Sequence, residues 1–411
     1  MTTYAAVIED NETSIGRVPE REDVLVQPGE HLIAAFGRER GGPTLIVIGG
    51  LHGNEPAGVI ALKALMADLA GIEHKLRGRV FFVAGNTRAL QTGARFLDTD
   101  LNRCWRHDLM HGEGAAAFRN TSEGRELAEL DDLLDSILIT AKDEVFVIDL
   151  HSTSAEGIPF ATVGDTLRNR EFAQKFPLAI VLGIEEQLEG TLLEYLNNDG
   201  AVTLGFEGGQ HSSVRTAENH RAVVLLGLVN AGIIERRWLP ELETLTELLA
   251  SETNGAQLFE ILYRQAIRAD DGFEMEGHFD NFEPVERGRV IARDRRGPIR
   301  AVRSGLILMP LYQRLGNDGF FIGQRISPFW LWLSGVLRRA GLQKIVHWLP
   351  GVSRDPNDPA TLVVNTSVAR LFPLQVFHLL GFRRRRWVGN KLVVSRRRHD
   401  TTGPFKWEAR V

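Results

Sequence analysis

Thr44-Leu45-Ile46-Val47-Ile48-Gly49-Gly50-Leu51-His52-Gly53-Asn54-Glu55 is the stretch on which the reading of this chain turns. The run from Thr44 to Ile48, closed by a glycine pair, predicts a strand buried on both faces. The turn that follows carries an imidazole and a carboxylate three positions apart. Pro56 then opens a helix with Val59, Leu62, Leu65 and Leu69 at helical spacing. A strand that leads through a chemically loaded turn into a helix is the repeating unit of an α/β sheet, and ligands of such sheets gather beyond the carboxyl ends of the strands.

A second apolar run, Val145-Phe146-Val147-Ile148-Asp149-Leu150, leads directly into His151. Two imidazoles and one carboxylate form a ligand set of catalytic zinc, with the fourth position left to water. Asp149 shares strand parity with His151 and is placed to orient its ring. Spacing alone leaves a blander reading open: His and Glu three apart are common on solvated loops, and a single His after a strand more often packs or caps.

Working outward, residues 31–36, 79–84, 179–182 and 201–206 read as strands, and 123–139 and 220–231 as helices. This alternation predicts an α/β fold, a mostly parallel mixed sheet flanked by helices. After Arg237 the texture changes. Residues 239–250 and 257–266 read as helical, and 273–321 as short β segments between Gly and Pro turns, a small C-terminal all-β module. The expected division is an α/β domain over 1–270 with a helical linker from about 237, a β module over 271–326, and an aromatic, Arg-rich extension over 327–411.

The chain has 411 residues, 43% hydrophobic and 25% charged, with a net charge of −5. These values suit a globular protein with proper cores, and the acidic balance speaks against nucleic acid as a partner. A single cysteine, Cys104, excludes an intrachain disulfide. Residues 1–15 are polar and acidic, without the apolar core of a secretory signal, and no apolar run is long enough to span a bilayer, so a cytoplasmic protein is expected.

Arg95-Phe96-Leu97-Asp98-Thr99-Asp100-Leu101-Asn102-Arg103 gathers arginines, aspartates and an asparagine around three apolar residues. Arginine forks match carboxylates and polarised carbonyls; a salt-bridged surface loop is the commoner fate of such charges. Glu207, directly after the apolar 202–206 segment and before Gly208-Gly209, suits a general base, although a turn glutamate is the more frequent occupant of such a position.

Taken together, Gly49 to Glu55, Asn86-Thr87-Arg88-Ala89, residues 95–103, Asp149-Leu150-His151 and Gly205-Phe206-Glu207 resemble the succinylglutamate desuccinylase/aspartoacylase family, a branch of the zinc carboxypeptidase-like hydrolases. Asn281-Phe282, Val285, Gly288 and Gly319-Phe320-Phe321 extend the resemblance through the β module. The resemblance implies that His52, Glu55 and His151 bind one zinc ion per chain and that Glu207 is the general base. Arg95 would stabilise the oxyanion, and Asn102 and Arg103 would hold a substrate carboxylate. The implied substrate is an N-acyl amino acid, or a related small amide or ester bearing a carboxylate. Two departures are plain. Where aspartoacylase proper has a further arginine shortly before the base, this chain has Asn197-Asn198, and where it uses a tyrosine of the C-terminal module this chain has Phe320-Phe321, with Tyr312 the nearest tyrosine. Two other readings stay open: a carboxypeptidase acting on peptides, and a non-catalytic protein acting through its basic tail.

In the tail, Phe329-Trp330-Leu331-Trp332-Leu333 precedes Arg338-Arg339, and residues 372–382 run into Arg383-Arg384-Arg385-Arg386-Trp387. This pattern offers a packed appendage or oligomer contact, including a homodimer, and a peripheral membrane surface, with packing the favoured outcome because large apolar patches are seldom left exposed.

Overall fold

The structure, a computed structural model, describes residues 26–403 other than 254–256, 314, 357, 359, 366–373 and 389–390; the polar segment 1–15 lies outside them. Strands β1 (Leu32–Phe36), β2 (Thr44–Gly49), β3 (Arg79–Ala84), β4 (Val145–Thr153), β5 (Phe160–Val163), β6 (Ala179–Leu182), β7 (Val202–Gln210) and β8 (Leu258–Ala266) form one sheet. It continues into short strands of the following segment. Among β9 (Glu274–Met275), β10 (Pro284–Val285), β11 (Val290–Asp294), β12 (Gly297–Arg300), β13 (Gly305–Leu308) and β14 (Asp318–Arg325), three join it and three make a small sheet of their own. The order across the large sheet is β1-β3-β2-β4-β7-β5-β6-β8-β14-β13-β10.

At its centre β3, β2, β4 and β7 are parallel neighbours. Every residue of β2 is buried, with Leu45 and Val47 in the apolar cluster on one face and Ile46 and Ile48 in the cluster on the other. The first cluster is covered by the helices Ala57–Ile72 and Val214–Asn230, the second by Ser122–Ile139, whose Leu127, Leu130 and Leu134 face the sheet. Burial on both faces is why these strands read as continuous apolar runs.

One expectation is corrected. Residues 257–266, read as helical, form β8 between β6 and β14. Phe259 and Ile261 are buried while Leu258 and Glu260 are only half-buried, a period of two that belongs to a strand. The helical linker therefore ends with the helix Leu242–Thr253. The segment after 270 is all β, and its β14, β13 and β10 extend the main sheet through β8. β1 and β2 follow one another in sequence but do not pair; β3 lies between them, antiparallel to β1.

Beyond β14 the chain forms the helix Pro328–Arg339 and a four-stranded antiparallel sheet of β15 (Val352–Arg354), β16 (Thr361–Asn365), β17 (Arg384–Val388) and β18 (Lys391–Ser395), with its own core around Leu362, Phe377, Phe382 and Val394. The side chains of Arg384, Arg385, Arg386 and Trp387 lie outside the described residues.

Candidate metal and hydrolase site

Because β2, β4 and β7 run in the same direction, whatever follows or ends them meets at one edge. His52 and Glu55 sit in the turn after β2, joined by a hydrogen bond from the Glu55 N–H to the His52 carbonyl, 3.1 Å. The loop is pressed against its neighbours: a Cβ on Gly53 would lie 2.2 Å from the Ala89 carbonyl carbon, so only glycine fits, and Gly50 adopts a left-handed φ of +72°. His151 and Glu207 do not end their strands. Both lie within β4 and β7 and face each other in the ladder, which continues past them to Thr153 and Gln210 across an irregularity.

The rings of His52 and His151 have centroids 5.2 Å apart and both aim Nδ1 at Glu55. His52 Nδ1 is 2.9 Å from Oε1 and His151 Nδ1 is 3.1 Å from Oε2. Their outer nitrogens meet aspartates, His52 Nε2 at 3.2 Å from Asp100 Oδ1 and His151 Nε2 at 2.7 Å from Asp149 Oδ2. With the ring proton of His151 on Nε2, shared with Asp149, its Nδ1 lone pair faces Glu55 Oε2, an arrangement that only a proton or a cation between them stabilises, whereas His52 Nε2 also lies 2.9 Å from Arg95 Nη2, which can only donate to it. Arg95 completes the cluster, with Nη1 3.2 Å from Glu55 Oε1 and Nη2 3.3 Å from Asp100 Oδ2.

The groups of the cluster shift one another strongly. Glu55, Asp100 and Asp149 converge with the two imidazoles on one buried point, with the Arg95 and Arg103 guanidinium groups at its side. Burial by itself would raise the Glu55 carboxyl, yet His52 and His151 hold it well below the ordinary carboxylate range. Burial would lower His151, but Asp149 and Glu55 hold it well above the ordinary imidazole value. Glu207 is pushed up, to about 8, chiefly by burial; Glu55 and Asp149 add to this, while His151 and Arg95 oppose it. Its Oε2 has no hydrogen-bond partner among the described residues. The donor set of two imidazole nitrogens and a carboxylate fits zinc. His31, Glu126 and Glu129 also bring donor atoms together, but there the Arg88 guanidinium already bridges both carboxylates.

Arg95, Asn102, Arg103 and Glu207 line the same cleft as the three candidate ligands. The far wall is built from Met309, Leu311, Gln313, Asp318 and Phe321, so the segment around β14 closes the cleft. Arg103 donates to Asp318 Oδ2 at 2.6 Å, and Asn102 Oδ1 accepts from the Leu192 N–H at 2.9 Å, so both are already fixed in place. Tyr312 instead turns its hydroxyl toward the Phe279 carbonyl.

Several contributors carried no signal of their own in the sequence. Asp100 was visible only as one charge among nine residues, and nothing marked it as the partner of His52. Glu123, fully buried in the first turn of its helix, accepts from the backbone N–H groups of Leu97, Asp98 and Thr99 at 2.8, 2.9 and 3.2 Å and so shapes the Arg95–Arg103 loop. The Asn86-Thr87-Arg88 segment serves the same scaffold: Asn86 donates to Glu123, and Thr87 and Arg88 bind Glu126. His211 lines the cleft and pairs through Nδ1 with the Ser152 hydroxyl at 2.7 Å.

With this geometry in view, residues 41–226 match the model of the Succinylglutamate desuccinylase/Aspartoacylase catalytic domain. That segment carries the pattern of this family's catalytic domain. A succinylglutamate desuccinylase of Pseudomonas paraeruginosa (strain DSM 24068 / PA7) is 31% identical over 149 residues, 34% of this chain and 43% of the relative. That of Pseudomonas fluorescens (strain Pf0-1) is 27% identical over 261 residues, 62% of this chain and 74% of the relative. The chain thus spans less than half the length of the first relative. Among solved structures, a succinylglutamate desuccinylase/aspartoacylase from Rhodobacter sphaeroides aligns over 71% of this chain and 87% of its own, at 20% identity and a TM-score of 0.50. The succinylglutamate desuccinylase from Chromobacterium violaceum aligns over 71% and 88%, at 18% identity and a TM-score of 0.51. At those identities the structures speak for the fold: a large mixed sheet flanked by helices, with small antiparallel sheets added toward the C-terminus.

Proposed function

We propose that this chain is a zinc-dependent deacylase that hydrolyses the amide, or ester, bond of a small N-acyl amino acid. The observation that carries the reading is the convergence of His52 Nδ1 and His151 Nδ1 on the Glu55 carboxylate, beside a buried and unpartnered Glu207 oxygen. His52, Glu55 and His151 would hold the metal. A zinc ion bound there would polarise the scissile carbonyl and lower the pKa of a water. Glu207 takes the proton of the attacking water on its free oxygen and passes it to the departing amine. Arg95 meets the negative charge that grows on the carbonyl oxygen. Asn102 and Arg103 bind the carboxylate of the substrate, Arg103 sharing its guanidinium between that group and Asp318. The relatives' name, succinylglutamate desuccinylase, supports an acylated amino acid as the substrate class, and the closing wall of residues 309–318 supports a small one. Cytoplasmic residence is part of the same proposal.

The test pairs metal content with turnover. Wild-type protein purified with zinc supplied should hold close to one ion per chain. Glu207→Gln should keep that metal and lose turnover on N-acyl amino acids by on the order of 10²- to 10⁴-fold, whereas His151→Ala should lose both. Loss of zinc from Glu207→Gln with the fold intact would contradict the assignment of the base, and a wild type that takes up no zinc would overturn the metal site.

A further inference from the structure

The helix Pro328–Arg339 has a buried side and an exposed apolar side. Leu331, Ser334, Gly335 and Arg338, at spacings of three and four, are buried. On the other side Phe329, Trp332 and Val336 are 55%, 62% and 42% exposed, and in the turns that follow Ile345 is 46% and Trp348 75% exposed. The aromatic residues touch one another, with Phe329 and Trp332 centroids 5.8 Å apart and Phe329 and Trp330 5.4 Å apart. Single exposed hydrophobic residues need no account, but a helix whose solvent side is phenylalanine, tryptophan and valine does.

The charge around this face indicates what covers it. Residues 319–354 contain no aspartate or glutamate. Arg325, Lys344 and Arg354 are exposed there, apart from Arg339, which is held by Glu171. A symmetric contact between two copies would set these cations against their own counterparts, which disfavours self-association. An anionic bilayer answers both features: tryptophan and phenylalanine settle at the boundary of headgroups and acyl chains, and lysine and arginine attract acidic lipid. The adjoining cavity has Ile326, Leu331 and Trp330 as apolar walls and Arg325 among its charges, while its Arg383 is paired with Glu260 and Asp165. No helix among the described residues is long and apolar enough to cross a membrane, so the helix would lie in the surface plane. We propose that residues 329–348 seat this protein on an anionic lipid surface, in an orientation set by the docked inner side of the helix.

The test is co-sedimentation of the full chain with vesicles of phosphatidylcholine containing phosphatidylglycerol, against phosphatidylcholine alone, at low and high salt. Binding should be confined largely to the anionic vesicles and should weaken as salt rises. Lys344→Gln should weaken it roughly fivefold, the effect of one cation at such a surface. Trp332→Ser with Trp348→Ser should abolish most of it while leaving zinc content and turnover unchanged. Absence of binding to anionic vesicles, or equal binding by the double tryptophan variant, would overturn the proposal. So would a stable wild-type dimer in sedimentation equilibrium that the double variant dissolves, since that assigns the face to a second copy.

Discussion

At the scale of single residues, the two histidines of the candidate site are held from behind by aspartates. Asp149 and Asp100 each hold the outer nitrogen of a histidine, which fixes the ring and keeps Nδ1 turned toward Glu55. Removing such a partner typically weakens metal affinity 10- to 100-fold. Asp149→Ala should therefore raise the zinc dissociation constant by about that factor, measured by competition with a chelator, with little change in the far-ultraviolet circular dichroism spectrum. Unchanged affinity would mean that His151 is oriented by packing alone. Asp149 was legible in advance because strand parity put it on the side of His151. Asp100 was not, because its partner lies 48 positions away and only the fold of the loop joins them.

At the scale of elements, the C-terminal helix is pinned by a buried charge cluster. Arg338, with a fully buried side chain, reaches Asp165 at 2.9 Å and Asp400 at 3.1 Å, and Arg170 and Arg383 converge on Asp165 as well. Removing one member leaves the others buried and uncompensated, which costs about 3–5 kcal/mol. Arg338→Met should lower stability by about that amount in urea or thermal unfolding; a loss below about 1 kcal/mol would show that the cluster relaxes into solvent. The cluster also sets an acid limit. Burial would raise Glu260, but His378 and Arg383 hold it down at about 2, against an ordinary value of 4.5. Asp165 is likewise held below its ordinary value against the effect of burial by Arg170, Arg338 and Arg383. Carboxylates depressed in the folded state stabilise it fully above their unfolded values and lose that contribution as pH falls. Unfolding free energy should accordingly fall between about pH 4.5 and about pH 2 in the wild type, and Glu260→Gln should flatten part of that slope.

At the scale of the whole molecule, the cleft is composite. Its floor, with the candidate metal ligands, comes from the loop after β2 and from β4 and β7, and its opposite wall from Met309, Leu311, Gln313, Asp318 and Phe321, which the sheet carries round through β8, β14 and β13. A wall placed there limits the length of what can lie across the site. Turnover should favour N-acyl amino acids over acylated tripeptides by roughly 100-fold or more in kcat/KM. Comparable rates on both would point to an open cleft and to the peptide carboxypeptidase reading instead.

The sequence alone determined the buried central strands, because burial on both faces forces continuous apolar runs, and it determined His52, Glu55, His151 and Glu207 as candidates, because their positions beside those runs are local facts. It did not determine β8, where an amphipathic strand of mixed composition resembles a helix until its neighbours are known. Nor could it show that β3 lies between β1 and β2, or that Arg103 is already engaged by Asp318, 215 positions away. Those outcomes depend on pairings between distant segments, whose energies appear only when the chain is closed on itself. The tail shows both limits in one helix. Its aromatic and basic residues were plain to read, but only the tertiary structure decided that one side docks on the catalytic sheet through a buried arginine while the other stays exposed.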